Sequence, residues 1–262
     1  MAALSTSESV FACPHCNLPL QLESLCARCS NGHSFDRAKE GYFNLLRAGR
    51  LPASSTPGDT AESLGARRQF FATDSYAPIA EALRDALGSI DEAVLDVGCG
   101  EGYYLSHVEA KQKYAIDISK KAVQMTSKRV PDAQCAVASA YQLPVLDHSC
   151  SAVFSVFAPH SFEEYARVLK PGGTWVTITP GPQHLLQMRP HRDSAIDERE
   201  RRRSEPPQEA MHAVRIQFDL NLTDEASQNL FSMTPLVWQT AANASPVSHV
   251  SVDVWVATGT TP

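Results

Sequence analysis

The chain has 262 residues, enough for one core of ordinary size and a small appendage, and its 43% hydrophobic and 20% charged residues are a soluble globular mixture. A net charge of −6 excludes attraction of a polyanion by the protein's average field, so any RNA contact has to come from local basic patches. No apolar run reaches membrane-spanning length, the N-terminus lacks the basic-then-apolar order of a secretion signal, and seven cysteines, an odd number, read as reduced thiols in the cytoplasm.

Residues 1–10 are small and polar, a frayed end. Cys13-Pro14-His15-Cys16 and Cys26-Ala27-Arg28-Cys29 then form two C-x-x-C pairs nine residues apart, followed by Gly32-His33. Thiolates at that spacing suit one tetrahedral zinc ion, and so short a segment needs such a staple to fold. Five side chains compete for four places. Cys13, Cys16, Cys26 and Cys29 satisfy the spacing, and so does the set in which His33 replaces Cys26; His15 reads as a bystander. The stretch 34–46 mixes charge with aromatics. It reads as a hinge packing its rings under the zinc module, with a stacking surface for bases as the alternative. Residues 47–60 are a Pro/Ser/Gly-rich loop carrying Arg47 and Arg50. Helical spacing runs from Thr60 to Leu87, with Arg67 and Arg68 on the first helix and Pro78 in the first turn of the second.

The organising stretch is Val94-Leu95-Asp96-Val97-Gly98-Cys99-Gly100-Glu101-Gly102-Tyr103-Tyr104. A buried strand ends in an acid and turns through alternating glycines, where a ligand can lie against bare backbone. Asp117 follows about twenty residues on, at the end of a second strand, placed to accept hydrogen bonds from both hydroxyls of a ribose. The pattern lacks the offset third glycine of pyrophosphate-binding turns, and its first acid suits a ligand carrying an ammonium group. It looks like motif I of class I S-adenosylmethionine-dependent methyltransferases. Strands at 93–97, 113–117, 133–137, 151–157 and 174–179 alternate with helices at 102–110, 119–129 and 161–169, with a turn at Lys170-Pro171-Gly172-Gly173. That alternation predicts a parallel sheet with helices on both faces. The glycine turn, Asp117, Ala138-Ser139 and Phe157-Ala158-Pro159 converge at its switch point. Residues 190–210, with Arg199, Arg201, Arg202 and Arg203 among acids, read as a mobile loop or short helix with a solvated face, with RNA phosphates on the arginine run as the alternative. Strand-like 213–220, helical 222–240 and alternating 248–256 add an antiparallel pair.

Beyond the glycine motif, CPHC at 13–16, CSNGHSFDRAKEGYFNLL at 29–46, PGDTAESLGARRQFF at 57–71, LDVGCGEGYY at 95–104, TPGPQHLL at 179–186 and MTPLVW at 233–238 carry a more specific likeness. Through them the chain resembles the RlmA family of 23S rRNA (guanine-N1)-methyltransferases over nearly its full length. The resemblance implies a Rossmann-like class I fold with a mostly parallel seven-stranded sheet. It implies a zinc module at 1–35, a linker with lead-in helices at 36–90 and a methyltransferase domain at 91–262. The family's C-x2-C-x12-C-x3-H pattern lands on Cys13, Cys16, Cys29 and His33, leaving Cys26 as an extra thiol. It also adds Tyr76 and His184, otherwise read as a buried anchor and a surface residue, to a cofactor set of Asp96, Gly98, Gly100, Glu101, Gly102, Tyr103, Asp117 and Ser139. The activity it implies is methyl transfer from S-adenosylmethionine to guanine N1 in a hairpin loop of 23S rRNA, by a cytoplasmic homodimer. His160, Glu101 and His184 are near the inferred site as bases for the N1 proton, and spacing does not choose among them. His160, following Ala158-Pro159, departs from the family pattern. The residues alone also admit methylation of another RNA or a small molecule, or a non-catalytic zinc adaptor.

Overall fold

The apolar run ahead of the glycines becomes the middle of the sheet. The computed structural model describes residues 9–47, 59–189, 204–234, 236 and 246–262. In it Ile90–Val97 (β5) lies between Ala110–Asp117 (β6) and Cys150–Val156 (β8), parallel to both. Ala133–Val137 (β7) continues the parallel pairing beyond β6, and Leu169–Pro180 (β9) beyond β8. His249–Thr260 (β11) pairs antiparallel with β9, and His212–Asn221 (β10) pairs antiparallel with β11 at the edge. These seven strands match the sequence expectation, and an eighth joins them. Phe43–Asn44 (β4), from the linker, pairs parallel with β7 at the far edge. The order β10-β11-β9-β8-β5-β6-β7-β4 puts the switch point between the carboxyl ends of β5 and β8.

Ala61–Phe71 (α1) is capped by Thr60, whose side chain accepts from the Ser63 N–H, and Ala77–Leu87 (α2) carries Pro78 in its first turn. Serine caps also start Lys120–Arg129 (α4) and Phe162–Val168 (α5), and Thr223 caps Asp224–Ser232 (α6). Three expected elements differ. The helix expected at 102–110 is a single turn, Tyr103–Ser106 (α3), because His107 closes it: its Nδ1 bonds the Tyr103 carbonyl and β6 starts at Ala110. The turn expected at 170–173 lies inside β9 as an irregularity against β8, with Gly172 at φ +75. The helix expected over 222–240 is described only as far as α6; residues 235 and 237–245 lie outside the described residues. Arg50 and the arginine run at 199–203 also lie outside them. No helix among the described residues is long and apolar enough to cross a membrane.

Alternation along β5 divides the core between two faces. Val94 packs with Phe70, Tyr76, Leu83 and Phe154, while Leu95 and Val97 pack with Phe11, Leu20, Tyr114 and Tyr165. The second face is where the N-terminal module docks. Gln21–Leu22 (β1), Cys26–Arg28 (β2) and Ser34–Asp36 (β3) form a small antiparallel sheet. Ahead of it, Phe11 is fully buried with its ring edge-on to Tyr114 at 5.2 Å. Burying a side chain of that size contributes about 2–3 kcal/mol. The Ala12 N–H donates to Pro144 O and the Leu146 N–H to Val10 O, both at 2.8 Å. Arg167 of α5 holds the receiving loop: it donates to Leu143 O and Val145 O at 2.9 and 2.7 Å and pairs with Glu164 and Asp147. Phe43 is buried in the cluster it shares with Phe11 and Leu20 of the module, as the packing reading of the hinge expects, whereas Tyr42 is buried in the core of the other face. Phe35 stays half-buried, stacked on His15 at 5.8 Å.

Candidate active site and metal centre

The glycine turn leaves β5 with Gly98 at φ +79, Gly100 at +55 and Gly102 at +85. The Gly98 and Cys99 N–H groups both donate to Ile116 O, at 2.9 and 3.0 Å, which fixes the turn on β6. A Cβ on Gly98 would stand 2.4 Å from the Ala158 Cβ, so only glycine lets the turns after β5 and β8 touch. Asp117 caps the arrangement, its Oδ2 accepting from the Gly100 N–H at 2.9 Å and its Oδ1 from the Ser119 N–H at 2.8 Å. Burial raises its carboxyl above the ordinary value, and these two N–H groups oppose the rise.

A cleft of about 1950 Å³ opens at this switch point. Of the residues the sequence nominates for the cofactor, Tyr76, Gly98, Gly100, Glu101, Tyr103, Asp117, Ser139 and His184 line it, and Asp96 and Gly102 do not. Asp96 is buried in β5, where burial and the neighbouring Asp117 push its carboxyl well above the usual range. A Cβ on Gly102 would meet Thr126 at 3.1 Å, so its bareness lets α4 pack onto the turn.

One wall of the cleft carries buried polar atoms with no protein partner among the described residues: Tyr76 Oη, Tyr103 Oη, Tyr104 Oη, Glu101 Oε1 and Thr179 Oγ1. Each such atom costs about 1–3 kcal/mol unless something bonds it. The ammonium, carboxylate and hydroxyls of S-adenosylmethionine offer the complementary donors and acceptors, so the wall fits that cofactor. Burial pushes the three phenols up, Tyr103 to about 12, which keeps them neutral donors. Glu101 is raised by burial too, against the pull of Arg129, whose Nη2 lies 3.0 Å from Oε2.

His184 is held by a network that has no local sequence signal. Asp253 of β11 is fully buried and paired with Arg215 of β10 through Nε at 2.7 Å and Nη2 at 2.8 Å. Burial opposes its ionisation, but the Arg215 and Gln183 bonds bring its carboxyl below the ordinary value. Its backbone fixes the turn at 181–184: the Gly181 N–H donates to Asp253 O at 2.7 Å, and the Asp253 N–H donates to His184 Nδ1 at 3.3 Å. An N–H can only donate, so His184 Nδ1 is the acceptor and its proton sits on Nε2. Burial, assisted by Arg189, brings its pKa down to about 4, so the ring is neutral. His160 has the opposite tautomer. Its Nδ1 lies 3.2 Å from Ala158 O, a pure acceptor, so the lone pair is on Nε2.

In the N-terminal module the ligand atoms of Cys13, Cys16, Cys29 and His33 lie within 4.8 Å of one another. Three sulfurs and an imidazole at that spacing fit a tetrahedral zinc site. Burial works against ionising Cys29, but backbone N–H bonds at His33 and Asn31 bring its thiol down to about 6. Cys26 is turned to other partners, 3.2 Å from both Glu23 Oε2 and Arg28 Nε. The knuckle at 13–17 is itself a wall of the cleft. Among the basic residues of the N-terminal third, Arg37 lies over the Phe43 ring and donates to Gln134, and Arg67 is paired with Asp59 and donates to Met233 O. Arg47 lines the cleft, and Lys39 and Arg68 are exposed.

A family model described as a methyltransferase domain matches residues 95–177, and one described as RlmA, N-terminal, a zinc ribbon, matches residues 11–50. A 23S rRNA (guanine(748)-N(1))-methyltransferase of Streptomyces fradiae is 33% identical over 245 residues, covering 86% of this chain and 85% of that protein. A Micromonospora griseorubida protein, described provisionally as a 23S rRNA (guanine-N(1)-)-methyltransferase, is 32% identical over 263 residues, 87% of this chain and 86% of its own. Among solved structures, geranyl diphosphate C-methyltransferase from Streptomyces coelicolor A3(2) superposes with a TM-score of 0.48 at 15% identity, covering 84% of this chain and 87% of that one.

The neutral, buried His184 has a pH consequence. Above the ordinary histidine value of roughly 6.5 the ring is neutral in both folded and unfolded chains and contributes no pH dependence. As pH falls from there towards about 4, the unfolded chain takes up a proton that the folded one refuses, so stability is lost across that window. Urea titrations should show the wild type losing up to about 3 kcal/mol relative to His184→Gln between pH 7 and pH 4. A difference between the two proteins that stays constant with pH would contradict the burial of a neutral ring.

Proposed function

The chain belongs to the RlmA family of 23S rRNA (guanine-N1)-methyltransferases, and from that premise we propose that it methylates N1 of a guanine in a hairpin loop of 23S rRNA. The observation that carries this reading is the shared cleft: the knuckle at 13–17 and the glycine turn at 98–101 line one space, so an RNA held by the module meets the methyl donor there.

S-adenosylmethionine, when bound, supplies a methyl group on a positively charged sulfur. Asp117 would accept from the ribose hydroxyls, with Ser139 beside it at the end of β7. Glu101 Oε1 would accept from the ammonium group, and the Nε2–H of His184 with the phenols of Tyr76 and Tyr103 would donate to the carboxylate. Asp96 and Gly102 act one layer back, by shaping the turn. The target nitrogen carries a proton at neutral pH that leaves as the new N–C bond forms, and His160 Nε2 is the histidine lone pair available to receive it. His184, a donor at Nε2, does not serve as that base. Cys13, Cys16, Cys29 and His33 would hold one zinc ion with every position filled by protein, which makes the metal a fastener of the module. Arg47 in the cleft and the exposed Lys39 and Arg68 would meet phosphates, with the hairpin entering between module and core. In this reading the enzyme works on cytoplasmic ribosomal RNA as a homodimer.

Incubation with S-adenosylmethionine and 23S rRNA lacking the mark should create one primer-extension stop, because an N1 methyl blocks base pairing. No stop, or a methyl mapped to another atom, would exclude guanine N1. Asp117→Ala should weaken S-adenosylmethionine binding by about 2–3 kcal/mol in calorimetry, since it removes hydrogen bonds to an ionised group; unchanged affinity would sink the ribose assignment. Metal analysis should find one zinc per chain in Cys26→Ser and little in Cys29→Ser; loss of zinc in both variants would restore the four-cysteine set.

A further inference from the structure

Phe157 follows β8 with φ +54, a left-handed conformation that bulky side chains rarely adopt. The other positive-φ residues that are not glycine, among those described, are Asn17, Asp74, His148 and Leu185. Asn, Asp and His are types that visit this region comparatively often, which leaves Phe157 and Leu185 as the bulky exceptions. Both line the cleft, one past the end of β8 and the other past the end of β9. Such strain persists only where the surroundings impose it, and it gathers where a side chain has to be aimed. Here the Phe157 N–H donates to Ile178 O at 2.9 Å while Ala158 is pressed against Gly98, so the backbone has no freedom to relax.

What this strain achieves is an aromatic ring kept out of the core. The Phe157 ring is 5.3 Å from His184 and 6.2 Å from Tyr76, yet the residue stays 38% exposed, while Phe154 within β8 is fully buried. A ring that packs on one side and remains open to the cleft has an apolar surface that nothing among the described residues covers. A guanine attacked at N1 has to leave its stack or pair to be reached, and an aromatic surface restores the stacking it loses. Resting on the functional reading above, we propose that Phe157 is the platform on which the target guanine stacks, holding its edge towards the glycine turn. Ala158, its neighbour, already touches that turn, so a base on the ring lies next to the donor site. Stacking does not distinguish one base from another, so Phe157 aligns the target without selecting it.

The test uses the full-length protein with Phe157→Gly, Phe157→Leu and Phe157→Tyr. Glycine accepts the left-handed φ without strain, so that variant keeps the fold and removes only the ring. Leucine keeps the bulk without an aromatic face, and tyrosine keeps the face. The Gly and Leu variants should lose about 5- to 100-fold in kcat/KM on 23S rRNA, and Tyr should stay within about threefold. S-adenosylmethionine affinity should be unchanged in all three. Hairpins carrying 2-aminopurine at each loop position in turn read stacking without methyl transfer: one position should be quenched by the wild type and the Tyr variant and not by Gly or Leu. Equal quenching in all four proteins, or wild-type kcat/KM in Leu, overturns the platform, as does a parallel loss of S-adenosylmethionine affinity, which would assign the ring to the donor pocket. A wild type that methylates no guanine N1 would defeat the functional reading, and the quenching series would still decide the role of the ring.

Discussion

The turns after β5 and β8 meet at Gly98 and Ala158, and the cleft is arranged around that contact. There is no room for a methyl group between them: a Cβ on Gly98 would come within 2.4 Å of the one on Ala158. Each turn is tied to its own neighbour as well, Gly98 and Cys99 to Ile116 O on β6, Phe157 to Ile178 O on β9. Thr126 of α4 adds a bond to Gly100 O at 3.0 Å. The donor side and the acceptor side of the site are therefore parts of one stiff unit. For a displacement at a methyl carbon, where the protein's main task is to hold two atoms in line, such stiffness is a large share of what catalysis needs.

The third side of the cleft is fixed by charge. Asp253, with no exposed surface, accepts both nitrogens of Arg215 and the Gln183 N–H, and the bare Gly181 lies so close that a Cβ would be 2.6 Å from the carboxylate. Burying that charge is costly, and apolar residues of the same volume would serve stability as well or better. What apolar residues could not do is accept from the Gln183 N–H and so tie the turn at 181–184 to β11 through a side chain. Geometry at this corner comes ahead of stability.

The parts of this design that show in the sequence are those whose signal is local. The glycine turn and Asp117 are legible because bare backbone and a carboxylate at fixed spacing have few other uses, and the strand–helix alternation follows from hydrophobic period. Spacing could not choose between Cys26 and His33, since both fit a knuckle; the fold does, by turning Cys26 to Glu23 and Arg28. Gly102 follows the motif yet faces Thr126, a neighbour that only the packing of α4 brings to it. Tyr104, Thr179 and the Asp253–Arg215 pair were invisible for a common reason. Each matters through a partner brought in by tertiary packing, and Asp253 sits in a strand whose alternation gives no sign of a buried charge. β4 was missed because a two-residue strand has no period to read.

The docking of the N-terminal module has a consequence for how the protein is made. Its ligands are complete once His33 has been synthesised, but every surface that covers it comes later. Val10 bonds Tyr114, 104 residues further on, and Arg167, which holds the receiving loop, is later still. At a translation rate of about 5–20 residues per second, the module waits roughly 5–20 s or more for its seat. Throughout that interval Phe11 and Leu20 have nothing to lie against, and three strands of two or three residues cannot hold themselves together. A zinc ion taken by these four ligands on the emerging chain would keep the segment ordered until the sheet arrives. Metal supply would then bear on the nascent polypeptide, before the sheet that covers the module exists.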